Sequence, residues 1–182
     1  MHWKSPQSPR KKKAHMSKSK FKAMMIVFFD IPGVIYIDWV PEGQTVNQIY
    51  YKNVLMTLRE RVRRRRPDMW KNASWILHHN NAPANNALSV KRYLAKNISM
   101  MEHPPYSPDL APCNFFLFPK IKSVLRGTRF ESVDTVKAKA MQPLNSLTQD
   151  DLQHCFQQWK IRMERCRDRG GDCIGGDNIS IV

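Results

Sequence analysis

Acidic side chains are scarce in this sequence: 15 Asp and Glu face 30 Lys and Arg, leaving a formal charge of +15. A chain so short of acid favours a polyanionic partner, because each neutralised phosphate releases counterions; a solvated basic surface is the other reading. Cysteine is sparse as well. Cys113, Cys155, Cys166 and Cys173 form no C-x-x-C pair, so neither a zinc knuckle nor a dithiol redox motif is signalled. No apolar run is long enough to cross a bilayer, the opening Met1-His2-Trp3-Lys4 does not read as a secretory leader, and no segment repeats. A membrane partner is therefore not expected, and reduced thiols in the cytosol or nucleus are the default. What is present is enough apolar material for a core: 42% of 182 residues, which argues against global disorder and suits one domain.

Residues 1–22 carry Pro, Ser and Lys without apolar periodicity and read as a flexible basic arm; residues 23–170 form the domain and 171–182 a tail. Two strand-like runs, Met24 to Phe29 and Val34 to Val40, flank the turn chemistry of Asp30-Ile31-Pro32-Gly33 and predict a hairpin, closed by a second turn at Pro41-Glu42-Gly43. From Asn47 the period becomes helical, with Tyr50, Val54, Leu55, Leu58 and Val62 on one face until Pro67 ends the helix. Trp75 to His79 reads as a short buried strand, and Pro83 to Lys96 as a helix. Phe115 to Phe118 reads as the buried side of another helix. The last helix is the clearest. Thr148 and Asp151 form a capping pair, Leu152, Cys155, Phe156, Trp159, Met163 and Cys166 line one side, and Gly170-Gly171 stops it. This order predicts a mixed α/β plan. Two basic runs, Arg10-Lys11-Lys12-Lys13 and Arg63-Arg64-Arg65-Arg66, suit nuclear import, phosphate contact or plain solvation; with Arg61 they are the candidate DNA-binding residues.

Two motifs are longer than chance explains. His78-His79-Asn80-Asn81-Ala82-Pro83 resembles the "HHDNAP" element of mariner transposases, and residues 103–115, from His103-Pro104-Pro105-Tyr106 to Cys113-Asn114-Phe115, resemble their "HPPYSPDLAPCDF" element. Residues 40–48 and 159–166 are similar to the same family, and the chain also resembles the transposase half of a methyltransferase–transposase fusion. The resemblance implies a ribonuclease-H-like fold and DNA transposition driven by two Mg²⁺ or Mn²⁺ ions, which bracket the reacting phosphate and take anionic oxygens from three Asp. The second and third Asp positions hold Asn80 and Asn114, and the "TGDESW" strand that carries the first has no match, since the chain begins after it. Between Asn80 and Asn114 lie 33 residues (114 − 80 − 1), one fewer than the family's spacing, and the shortening falls at Asn97-Ile98-Ser99.

A truncated ribonuclease-H-like α/β fold lacking its first, central strand is thus expected, with two strand edges left open and loose tertiary packing. Neutral amides lend a carbonyl oxygen but no charge, so no cofactor is expected at Asn80 and Asn114. Asp30 and Asp109 read as a turn residue and a helix cap rather than replacement ligands. His78 and His79, adjacent on a strand, point to opposite faces and cannot chelate one ion together. The expected function is that of a nuclear, catalytically inactive transposase derivative binding DNA non-specifically. The alternative is a DNA- or transposase-binding module acting as a homodimer or as a heterodimer with a related transposase. A nuclease with a rebuilt metal site is a third reading that the two Asn oppose.

Overall fold

The computed structural model describes residues 22–171, so Arg10, Lys11, Lys12, Lys13 and residues 172–182 of the tail lie outside it. Nearly continuous apolar residues build β1 (Met24–Asp30) and β2 (Gly33–Val40), an antiparallel hairpin with a bulge between Phe28 and Phe29. The turn is tied by Asp30, whose carboxylate accepts the Gly33 N–H at 3.1 Å; Gly33 itself sits at φ +140°, open to glycine alone at low cost. Asn47 caps α1 (Gln48–Arg65) by accepting the N–H groups of Ile49 and Tyr50 at 3.0 and 2.9 Å. Pro67 ends α1 as expected, yet it also starts the short α2 (Pro67–Lys71), where its missing N–H costs nothing. Next come β3 (Leu77–His78), α3 (Leu88–Asn97) and β4 (Met100–Met101), then a 3-10 turn at Pro108–Leu110 and a π-helical turn at Cys113–Leu117. The chain continues through α4 (Phe118–Leu125), α5 (Val133–Asn145) and α6 (Gln149–Asp168).

The hairpin is covered on both faces. Ile26, Phe28, Ile35 and Tyr36 pack against a cluster centred on Leu55, Leu58 and Val62 of α1 with Val90 and Leu94 of α3. Met25, Val27, Phe29 and Ile37 pack instead with Leu117, Ile121, Ala140 and Leu144. Each fully buried Leu or Val adds about 1.5–3 kcal/mol of apolar transfer energy, so these two clusters hold the three layers together.

Several expectations need correcting. Tyr51, not Tyr50, enters the core; Tyr50 turns its hydroxyl to Asp38 at 2.6 Å. The strand predicted from Trp75 to His79 shrinks to two residues, with Ile76 exposed, because only Leu77 and His78 find a partner strand, the parallel β4. The helix predicted from Pro83 begins at Leu88, since Ala82 to Asn86 form turns in which the Asn85 and Asn86 N–H groups bond to the Ala82 carbonyl. Asp109 lies inside the 3-10 turn, while Pro112 holds the cap position of the next segment. Only Leu117 of the Phe115–Phe118 run is fully buried. The hairpin and the β3–β4 pair form two separate two-stranded sheets, and a cavity of about 550 Å³ lies between them.

Candidate functional site

The hairpin, the end of β3 and the π-turn meet around a second cavity of about 460 Å³. Both family-motif asparagines reach it: Asn80 from the segment after β3 and Asn114 from the π-turn. Among the described residues no Asp or Glu lines it. Asn80 is committed locally, its side-chain oxygen accepting from Asn85 Nδ2 at 2.8 Å and from the Ala82 N–H at 3.3 Å. Asn85 is the buried polar residue of the core, so this bond satisfies a group that burial would otherwise penalise. Asn114 is exposed and donates to the Pro108 carbonyl at 3.5 Å.

The two histidines diverge, as strand geometry requires. His78 Nε2 lies 3.0 Å from His103 Nδ1, and its ring stands 4.7 Å from the Trp159 ring of α6. His79 Nδ1 instead meets the Tyr51 hydroxyl at 2.8 Å, on the α1 side. Burial, then the charge of His103, pushes both pKa values down to about 4, and burial lowers His103 too. Burial likewise pushes the Cys113 thiol up to about 11 and raises the Tyr51 hydroxyl. Near neutrality the site therefore holds neutral imidazoles, a thiol, a phenol and three amides. Among the described residues no three His, Cys, Asp or Glu side chains gather as a metal-holding group.

The basic run at the end of α1 splits in two. Arg66 grips Asp30 with two bonds of 2.7 and 2.8 Å, a contact that raises the Arg66 pKa and ties α1 to the hairpin turn. Arg65 donates to the Val34 carbonyl at 2.8 Å, and Arg63 pairs with Glu60 at 2.6 Å. Arg61 and Arg64 are exposed. His103, Tyr51 and Asn85 are site residues that periodicity and motif spacing did not single out, because each acts through a contact across the fold.

A sequence profile described as "Transposase (partial DDE domain)" matches residues 1–72. The Mariner Mos1 transposase of Drosophila mauritiana is 34% identical over 134 residues, covering 72% of this chain and 39% of that protein. The Mos1 catalytic domain solved with Raltegravir and Mn overlays with a TM-score of 0.75 at 30% identity, covering 82% of this chain and 76% of that one. The chain belongs to the mariner transposase family. A pre-cleavage Mos1 transpososome fits this mariner chain with a TM-score of 0.82 at 29% identity over 94% of its length and 51% of the other's. Histone-lysine N-methyltransferase SETMAR of Homo sapiens is 24% identical over 151 residues, 82% of this chain and 22% of that protein. The mariner chain thus spans well under half the length of these two curated relatives. Its mixed α/β architecture is that of the Mos1 catalytic domain, and among its described residues no helix is long and apolar enough to cross a membrane.

Proposed function

We propose that this mariner-derived chain binds DNA without cutting it. The observation that carries the reading is the cavity shared by Asn80 and Asn114, which no carboxylate lines among the described residues. Mg²⁺ and Mn²⁺ sites of a phosphoryl-transfer centre need charged oxygen ligands to offset the dications. This donor set does not fit them: the Asn80 side-chain oxygen is already taken by Asn85, and the remaining side-chain donors are uncharged, the Asn114 amide, imidazoles, a phenol and a protonated thiol.

DNA affinity follows from the charge of +15. Among the described members of the basic run, exposed Arg61 and Arg64 are the phosphate-contact candidates, whereas Arg63, Arg65 and Arg66 serve the protein's own structure. Binding of this kind ignores sequence and weakens steeply with salt. A nucleus-localised, non-specific DNA-binding protein is the resulting role. The test pairs a transposon-end duplex with a scrambled one, each with Mg²⁺ or Mn²⁺, and measures nicking and affinity across a salt series. Equal affinities, a steep salt slope and intact strands are expected; divalent-dependent nicking abolished by a chelator would falsify the proposal.

A further inference from the structure

α1 and α3 lie side by side against one face of the hairpin and share one core cluster. The Gln48 side-chain oxygen accepts the Ser89 hydroxyl at 2.8 Å, and the Lys52 ammonium stands 6.0 Å from the centre of the Tyr93 ring. From one contact to the other each helix advances by four residues (52 − 48 and 93 − 89), so the two run in the same direction. Their solvent side carries large apolar groups. Ile49 and Met56 of α1 are 67% and 50% exposed, and Leu88 of α3 is 63% exposed. Ile49 and Leu88 are the chain neighbours of the Gln48–Ser89 bond, and Met56 follows Ile49 by about two helical turns. The charge around them has one sign. Lys52 is half-buried, and Lys91, Arg92 and Lys96 are exposed. Glu60 is the one acid of the two helices, and it is paired with Arg63 at 2.6 Å. Neither helix has an acidic residue in its first turn, and Ala87 gives α3 no side-chain cap.

Three apolar side chains in a cationic frame select few partners. Duplex DNA matches the charge but offers Ile49, Met56 and Leu88 nothing apolar along its phosphates. A second copy of this chain brings its own charge of +15 to a basic face. An extended strand gains nothing, since both helices already satisfy their own backbones. A third helix fits. Laid along two parallel helices, it sets one apolar stripe against Ile49 and Met56 on one side and Leu88 on the other. Its flanks then meet Lys52, Lys91, Arg92 and Lys96, and a carboxylate there also meets the positive end of the α3 dipole. We infer that the α1–α3 face docks an acidic amphipathic helix of another protein, apolar at i, i+3 or i+4 and i+7, with Glu or Asp on its flanks. This inference stands apart from the DNA-binding reading, which uses Arg61 and Arg64 and is decided by the duplex assay, so the two fail separately.

The probe is a helical peptide of about fourteen residues with leucine on one stripe and glutamate on both flanks. Two controls keep its length: one carries lysine for glutamate, the other glutamine for leucine. Binding of the labelled peptides to the full chain is read by fluorescence anisotropy at low and high salt. The glutamate–leucine peptide is expected to bind and to weaken with salt, and each control to bind at least about ten-fold more weakly. Ile49→Gln and Leu88→Gln, both at exposed helical positions, should leave the Tm nearly unchanged and weaken the peptide about ten-fold each. Arg92→Glu should weaken it too and shift the preference towards the lysine control. Tyr106→Ser, at a position 99% exposed in the segment after His103, should leave peptide binding as it is. No binding, equal binding of the three peptides, or binding indifferent to Ile49 and Leu88 overturns the proposal. A loss in Tyr106→Ser as large as in Leu88→Gln overturns it as well. Duplex DNA that loses affinity in Leu88→Gln makes the face a nucleic-acid contact. Phosphatidylserine vesicles that displace the peptide make it a membrane contact, and a dimer that Leu88→Gln dissociates assigns it to a second copy. Each of those three results overturns an acidic helix as the occupant.

Discussion

Asn80 differs from aspartate only in carrying an amide nitrogen in place of an oxygen, yet that exchange removes the charge a dication needs. Among the described residues no carboxylate lines the cavity it shares with Asn114, so the effect of restoring charge is readable without competing ligands. In the double variant Asn80→Asp with Asn114→Asp, two carboxylates in one cavity repel and are relieved by a cation. Millimolar Mn²⁺ is expected to raise the Tm of that variant and leave the parent unmoved; an equal shift in both would show that the parent already holds the ion. Asp30 makes a different point. It resembles a candidate replacement ligand only in sequence, because in the fold it is occupied by Arg66 and by the Gly33 N–H, with side chains 17% (Arg66) and 19% (Asp30) exposed. Asp30→Asn breaks a charge-assisted, partly buried pair and is expected to cost about 2 kcal/mol in urea unfolding. Arg64→Ala, by contrast, should leave stability within about 0.5 kcal/mol and reduce the salt slope of DNA binding by about one phosphate.

Helix ends were the best-marked elements. Thr148 and Asp151 close a reciprocal capping box on α6, with the Thr148 hydroxyl accepting the Asp151 N–H at 3.1 Å and Asp151 accepting from the Thr148 N–H at 3.2 Å. Thr148→Ala is expected to cost about 1 kcal/mol in thermal or urea unfolding. Caps and turns are legible because their chemistry is local: Thr148, the Asp30–Gly33 turn and the Gly170-Gly171 stop were all readable from neighbours a few residues away. The hairpin was legible for the same reason. What stayed hidden was set across the fold. Tyr50 and Tyr51 both suit a helix face, and only the placement of His79 and the packing of α3 decide that Tyr51 goes inside. The two-residue β3 and β4 carry too little pattern to announce themselves, and α5 was submerged in a generally helical region despite the Ser132 cap that starts it. At the site, the positions of Asn80 and Asn114 were visible through the motifs. Their convergence on one cavity, and the His78–His103 contact, were not, since neither follows from spacing along the chain.

At the scale of the whole molecule, acid stability separates into two windows. His78 and His79 titrate near pH 6.5 when unfolded and near 4 when folded, so the unfolded chain takes up protons first. Their contribution is intact above about pH 6.5 and is lost as the pH falls towards 4. Asp151 is held down to about 2, chiefly by Lys120, so its contribution persists above the ordinary value of 3.8 and is lost as the pH falls through 2. Unfolding free energy measured against pH should therefore decline in the upper window for the parent and decline less there for His79→Gln, while the lower window is common to both. The π-turn acts at this scale too. Between Cys113 and Leu117 the chain makes a wide turn, closed by the Phe118 N–H on the Cys113 carbonyl, that contains one residue more than an α-turn. Such a turn is slack in the chain. A one-residue deletion here tightens it to α geometry without breaking α4: the slack absorbs the loss locally, so the flanking segments keep their register while the side chains within the turn, Asn114 among them, are turned to new directions. The part of the chain that tolerates a change of length most easily is thus the part that aims Asn114, so a lineage can alter this site by losing a codon as readily as by changing one.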